Sequence, residues 1–240
     1  MGETCEYLSG IMGYDKFLPM NTGVEATETA VKLARKWGYT KKGIPDNKAQ
    51  VIMMEGNFWG RTITAAGACD DPSRYNGFGP FTPGFPLIPF DDIEAFRKML
   101  EADKNVAAVM VEAIQGERGV IIPKAGYLKQ MRELCTKHNV LMIIDEVQTG
   151  FGRTGKFMGY DWEGVKPDIV SVGKALSGGI MPVSGAFCND EIMLCIKPGE
   201  HGSTYGGNPL AMAVAKAAIQ TLIEEGMVEN ALAMGEVMGA

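Results

Sequence analysis

At 240 residues the chain is long enough for one large domain or two small ones and for a sizeable buried core. Its 46% hydrophobic and 22% charged content is that of an ordinary globular protein. The net charge of −6 argues against a broad basic face for nucleic acid, and no apolar run reaches membrane-spanning length.

The chain opens directly into helix-like sequence, Glu3 to Met12, with no signal peptide, and closes in another helical stretch without a stop signal. Both ends therefore read as cut. Thr22 with Glu25 has the spacing of a capping box ahead of a helix over Val24–Trp37. An apolar run, Val51–Met54, reads as a buried strand. Asn57-Phe58-Trp59-Gly60-Arg61-Thr62 follows, with aromatics beside an arginine. Asp70 to Pro89 is rich in Gly, Pro, Phe and Asp, a long irregular segment of the sort that serves function or an interface. Helices are predicted over Asp92–Leu100, Tyr127–His138 and Pro209–Glu225, and strands over Ala107–Val111, Val140–Ile144, Ile169–Val172 and Gly185–Cys188. The strands are continuously apolar rather than alternating, which suits a sheet covered on both faces. The fold class is therefore α/β, a mixed, mostly parallel sheet flanked by helices. The five cysteines, Cys5, Cys69, Cys135, Cys188 and Cys195, are scattered and odd in number. They read as free thiols packed as small hydrophobes, in a reducing compartment.

Five stretches carry candidate chemistry. The strand Leu141–Ile144 runs into Asp145-Glu146, and ligands of open α/β sheets bind beyond the carboxyl ends of strands. An acidic strand terminator is the plain alternative. A Walker-type reading competes too, since Gly150 to Lys156 matches G-x-x-x-x-G-K. Against it, Phe157 replaces the magnesium-binding hydroxyl and no helix start follows. Lys174 sits just past the strand Ile169–Val172 among small residues that let a ligand approach. A partly desolvated lysine there loses its proton readily, as Schiff-base chemistry requires, whereas most lysines are solvated surface groups. One crossover separates Asp145 from Lys174, so both can face one pocket. An amine to hold an aldehyde and a carboxylate to keep a pyridine nitrogen protonated together fit pyridoxal phosphate. The amides of Gly23 and Val24 behind Thr22 can take a phosphate, or the stretch is only a helix cap. Phe58 and Arg61 can stack on a ring and clamp a carboxylate, or Phe58 and Trp59 are plain core. In the loop His201 to Pro209, Ser203 and Thr204 offer hydroxyls for phosphate, with His201 a structural hydrogen-bonder and an ordinary loop the alternative.

Taken in order, NTGVEATETAVKLARKWGY (21–39), GNFWGRT (56–62), YNGFGPFTPGF (75–85), VEAIQGERGV (111–120), IIDEVQTGFGRTG (143–155), DIVSVGKALSGG (168–179) and IKPGEHGSTYGGNPLA (196–211) resemble the class III aminotransferases. The resemblance is nearest to the branch that transaminates ornithine. It implies a fold type I, pyridoxal-phosphate-binding large domain over residues 1–240, without the family's N-terminal segment and C-terminal small domain. It implies Lys174 as the Schiff-base lysine and proton shuttle, and Asp145 as the partner of the pyridine nitrogen. Gln148 would bond the ring hydroxyl and Phe58 would stack on the ring. Gly23 and Val24, with Thr22, would hold the phosphate, and Thr204 would serve the neighbouring subunit's phosphate in a homodimer. Arg61 would anchor the distal carboxylate of glutamate or 2-oxoglutarate. Glu117 would admit ornithine by its terminal amine, although the C-terminal arginine it pairs with in the family lies outside this chain. Ala113 stands where the family has proline. The implied reaction moves the δ-amino group of L-ornithine to 2-oxoglutarate, giving glutamate and glutamate semialdehyde. Acetylornithine or 4-aminobutyrate as donor, or an inactive fragment with an interaction role, are the alternatives. The implied compartment is cytosol or mitochondrial matrix.

Overall fold

The structure, a computed structural model, describes residues 1–239. In chain order it runs α1 (Gly2–Met12), β1 (Lys16–Met20), α2 (Gly23–Trp37), β2 (Gln50–Met54), α3 (Ile63–Gly67), α4 (Pro72–Tyr75), β3 (Leu87–Ile88) and α5 (Ile93–Ala102). Then follow β4 (Val106–Glu112), α6 (Tyr127–His138), β5 (Leu141–Asp145), β6 (Ile169–Val172), β7 (Ser184–Cys188), α7 (Asp190–Met193), α8 (Pro209–Glu224) and α9 (Met227–Gly239). The strands form one seven-stranded sheet, ordered β1-β7-β6-β5-β4-β2-β3. Strands β6, β5, β4, β2 and β3 pair in parallel, and β7 runs antiparallel to both its neighbours. The mixed, mostly parallel sheet expected from the apolar runs is thus present.

Burial explains why those runs do not alternate. Leu141, Ile143, Ala108 and Met110 face one core with Ala30, Val31, Leu33 and Trp37 of α2. Met142, Ile144, Val109 and Val111 face the other with Phe96, Leu100, Leu128 and Met131 of α5 and α6. Each of the larger aliphatic side chains so enclosed contributes about 1.5–3 kcal/mol. On that second face α1 and α8 add Leu8, Met12, Met212 and Ala215. The predicted helices and strands agree with the observed ones to within two residues at each end.

Two strands were not foreseen. β1 carries Pro19 and lies at the sheet's edge, paired only with β7. A proline, which cannot donate a ladder bond, is tolerated on an edge. β3 is two residues long at the opposite edge, and it falls inside the irregular 70–89 segment, which otherwise holds only the single turn α4. All the strands except β7 aim their carboxyl ends toward the same side, where the loops after β2, β4, β5 and β6 gather.

Candidate active site

Three of those strand ends bring chemistry together. The parallel register pairs Glu112 with Asp145 and Asp145 with Ser171. Asp145 is 6% exposed. Its Oδ1 accepts the Val147 amide at 2.9 Å, and its Oδ2 accepts the Thr27 hydroxyl of α2 at 3.3 Å. Burial pushes its carboxyl up to about 6, against the pull of the Val147 amide, the Thr27 and Ser171 hydroxyls and Lys174. Glu112, one strand over, accepts the Phe58 amide at 3.0 Å. Burial, then the charge of Asp145, push it up to about 8.

Lys174 follows β6 after Gly173, with a φ of 40°. That left-handed conformation is uncommon for a side chain of this kind and costs of order 1 kcal/mol or more. Its Nζ donates to Gln148 Oε1. The expected desolvation is not found: Lys174 is exposed. The reason is its place on the rim, where residues 174–180 leave the sheet. There it borders both the cleft and a second, apolar hollow lined by Val214, Ala218 and Leu222 of α8.

The amino end of α2 is built for an anion. Thr22 and Glu25 form the predicted capping box, with the Glu25 amide on Thr22 Oγ1 at 3.4 Å and the Thr22 amide on Glu25 Oε2 at 2.7 Å. The Ala26 amide bonds the Thr22 carbonyl. The two amides between, Gly23 and Val24, have no partner inside the helix and border the cleft. A Cβ on Gly23 would lie 2.8 Å from Val147 Cγ1, so glycine lets α2 close on the loop after β5. Phe58 is half-buried at the cleft, with the guanidinium of Arg74 4.8 Å and that of Arg61 5.6 Å from its ring centre. Trp59 beside it is buried, and its indole N–H has no protein partner.

The cleft encloses about 240 Å³. It gathers Gly23, Val24, Phe58, Asp145, Gln148 and Lys174, with Glu117 at its border. Four further predicted residues stand off it. Thr22 faces solvent as the helix cap, and Arg61 is exposed beside Phe58. Ser203 accepts Asn21 Nδ2 at 2.9 Å and the Gly206 amide at 3.0 Å, and Thr204 is exposed.

The family description Aminotransferase class-III matches residues 1–240. The chain belongs to the class-III aminotransferases. It is 60% identical over 238 residues to the mitochondrial ornithine aminotransferase of Drosophila ananassae, covering 99% of this chain and 55% of that one. It superposes on the ornithine aminotransferase structure from Toxoplasma gondii with a TM-score of 0.94 at 51% identity, covering 95% of this chain and 54% of the other. The acetylornithine aminotransferase structure of Elizabethkingia anophelis gives 0.86 at 49% identity, over 98% and 55%. The chain thus spans about half the length of the relatives it matches.

Membership in the class-III aminotransferases disposes of the Walker-type reading, and so does the loop itself. Residues 150–158 are turns and bends that lead into a single 3-10 turn, Gly159–Trp162, rather than a helix. Glu146, fully buried, folds that loop back by accepting the Thr149 hydroxyl and the Gly159 and Tyr160 amides at 2.8–2.9 Å. Burial pushes it up to about 7. His201 is structural, as expected, bonding Thr29 and Lys32 at 2.8 Å. The cysteines are free thiols; four are buried and Cys5 half-buried. Among the described residues no group of His, Cys, Asp and Glu could hold a metal, and no helix is long and apolar enough to cross a membrane. Sequence reasoning missed Glu112. The signal was present: like Asp145, it is a carboxylate closing an apolar strand.

Proposed function

We propose that residues 1–240 form the cofactor-binding large domain of an ornithine aminotransferase, which moves the δ-amino group of L-ornithine to 2-oxoglutarate and yields glutamate semialdehyde and glutamate. The observation that carries this reading is the meeting of Lys174 and buried Asp145 at one cleft bordered by Phe58 and the free amides of α2.

The donor set suits pyridoxal phosphate: an amine, a buried carboxylate, an aromatic face and two unpaired first-turn amides. When bound, that group supplies an aldehyde that condenses with amines and a protonated ring that withdraws electrons from the neighbouring carbon. Gly23 and Val24 would hold its phosphate by their amides and the dipole of α2, with Thr22 fixing the turn. Phe58 would cover one ring face. Asp145 takes two donors from the protein and ionises above about pH 6, so it can keep a ring nitrogen protonated at neutral pH. Gln148 would face the ring hydroxyl, and it already orients Lys174 Nζ. Lys174 Nζ would be the group that takes a proton from substrate carbon and returns it. Arg61 would meet the distal carboxylate of 2-oxoglutarate, and Glu117 would let ornithine react at its terminal amine.

By the same reading the protein works as a homodimer, with the exposed Thr204 serving the neighbouring subunit's phosphate. The mitochondrial names of relatives favour the matrix over the cytosol. Acetylornithine as donor is the second reading, favoured by the likeness to the Elizabethkingia protein. A donor panel of ornithine, acetylornithine and 4-aminobutyrate with the whole protein separates them.

The first test is spectral. Pyridoxal phosphate added to the chain should give the visible band of the lysine-bound cofactor, and borohydride should fix it to Lys174. Lys174→Ala should abolish band and label while leaving the fold intact. A folded wild-type chain that stays colourless would refute the cofactor reading.

A further inference from the structure

Glu112 has no task in the scheme above. It closes β4 with its Cα paired to that of Asp145. In-register side chains of a parallel pair stand on one face, and here that face looks to α2, where Asp145 meets Thr27. Glu112 borders the cleft, and its Oε1 takes the Phe58 amide at 3.0 Å. Phe58 lies on an irregular segment after β2. Asn57 anchors the start of that segment, donating to the carbonyls of Met54 and Ala68 at 2.7 and 2.8 Å. At Phe58 the tie to the sheet is Glu112.

Several charged groups face Glu112. Asp145 faces it from β5 and Lys174 from the exit of β6; Glu117 follows on its own chain, and Arg61 and Arg74 lie over the Phe58 ring. Lys174 Nζ is taken by Gln148. Two carboxyls side by side do not both ionise readily. Hydrogen bonds draw both carboxyls down, the Phe58 and Gly116 amides at Glu112 and the Val147 amide with the Thr27 and Ser171 hydroxyls at Asp145; at Glu112 burial and the neighbouring charge of Asp145 outweigh them. The titration order agrees, Asp145 at about 6 and Glu112 at about 8.

We propose that Glu112 is a positioning residue, a neutral carboxylic acid that clamps the Phe58 amide, and with it the ring bordering the cleft, while leaving Asp145 the one anion of the pair. The clamp is a property of the chain alone; its consequence for cofactor affinity rests on the pyridoxal-phosphate reading.

The test is amide exchange at Phe58 without added cofactor, in wild type, Glu112→Gln and Glu112→Ala. The alanine should speed exchange roughly tenfold. The glutamine, a neutral isostere that still offers an acceptor, should stay within about twofold of wild type. The amides of Ile143 and Ile144 report that the sheet is intact. Should the alanine protein lose that protection, Glu112→Asp replaces it, one carbon too short to reach, with the same acceleration expected. Unchanged exchange in the alanine or aspartate protein overturns the clamp, and glutamine behaving like alanine overturns the neutral form. Pyridoxal phosphate dissociation constants, read by protein fluorescence, should follow: roughly tenfold weaker for alanine and near wild type for glutamine. Wild type that fails to bind would sink the cofactor reading and leave the exchange data to decide the clamp.

Discussion

Asp145 is held in a site that costs the fold stability at neutral pH. The unfolded chain ionises it near 3.8 and the folded one near 6. The folded state therefore grips its proton more tightly, and its contribution to stability falls as pH rises. The cost is absent below about pH 4 and complete above about pH 6, where it amounts to roughly 3 kcal/mol. Glu146 and Glu112 shift in the same direction. Asp145→Asn keeps an acceptor for the Val147 amide and gains a donor for Thr27. It should raise the urea midpoint at pH 8 and lose that advantage by pH 4. Equal midpoints at pH 8 would show that the buried anion costs nothing. At this scale the sequence was legible where a residue type is rare in its surroundings: Lys174 among glycines and alanines, Asp145 at the end of an apolar strand. It was less so for environment. Lys174 is exposed because the rim turns outward after β6, and a string of small residues does not say which way a rim turns. Glu112 is harder to single out because it ends its strand alone, whereas Asp145 is followed by a second carboxylate, Glu146.

The elements that hold the site meet it at their ends, so those ends matter. The capping box at Thr22 fixes where α2 begins and therefore where the Gly23 and Val24 amides sit. Thr22→Ala should cost about 1 kcal/mol in denaturant unfolding. It should also weaken pyridoxal phosphate more than pyridoxal, which lacks the phosphate, because the amides lose their fixed register. Equal weakening of both ligands would place the effect outside the phosphate turn. This cap was visible in the sequence because its chemistry is local, two side chains three residues apart. The central strands were visible because burial on both faces leaves continuous apolar runs, as in β4 and β5. β1 and β3 were not. At an edge a strand needs neither length nor a full set of donors, so KFLPM with its Pro19 and the pair Leu87–Ile88 carry little pattern.

At the scale of the molecule, stability and exposed apolar surface lie in different places. The two cores sandwich the sheet, whereas α9 has no buried residue and leaves Met234, Val237 and Met238 in solvent. It touches the rest through α8 and through the loop after β5, where Val228 and Leu232 approach Gly152 and Gly155. Such contacts bury too little to matter to cooperative unfolding, which the β4–β5 core governs. Ending the chain at Gly226 should therefore cost under about 1 kcal/mol, a fall in Tm of no more than about 2–4 °C for a domain of this size. It should also lower dye binding and self-association by removing apolar surface. A fall well beyond that range in a scanning calorimeter would mean that α9 shares the cooperative unit through the 150–155 loop. Pyridoxal phosphate affinity should then fall with it, because that loop runs on from Asp145 and Gln148 and would carry the disturbance into the cleft.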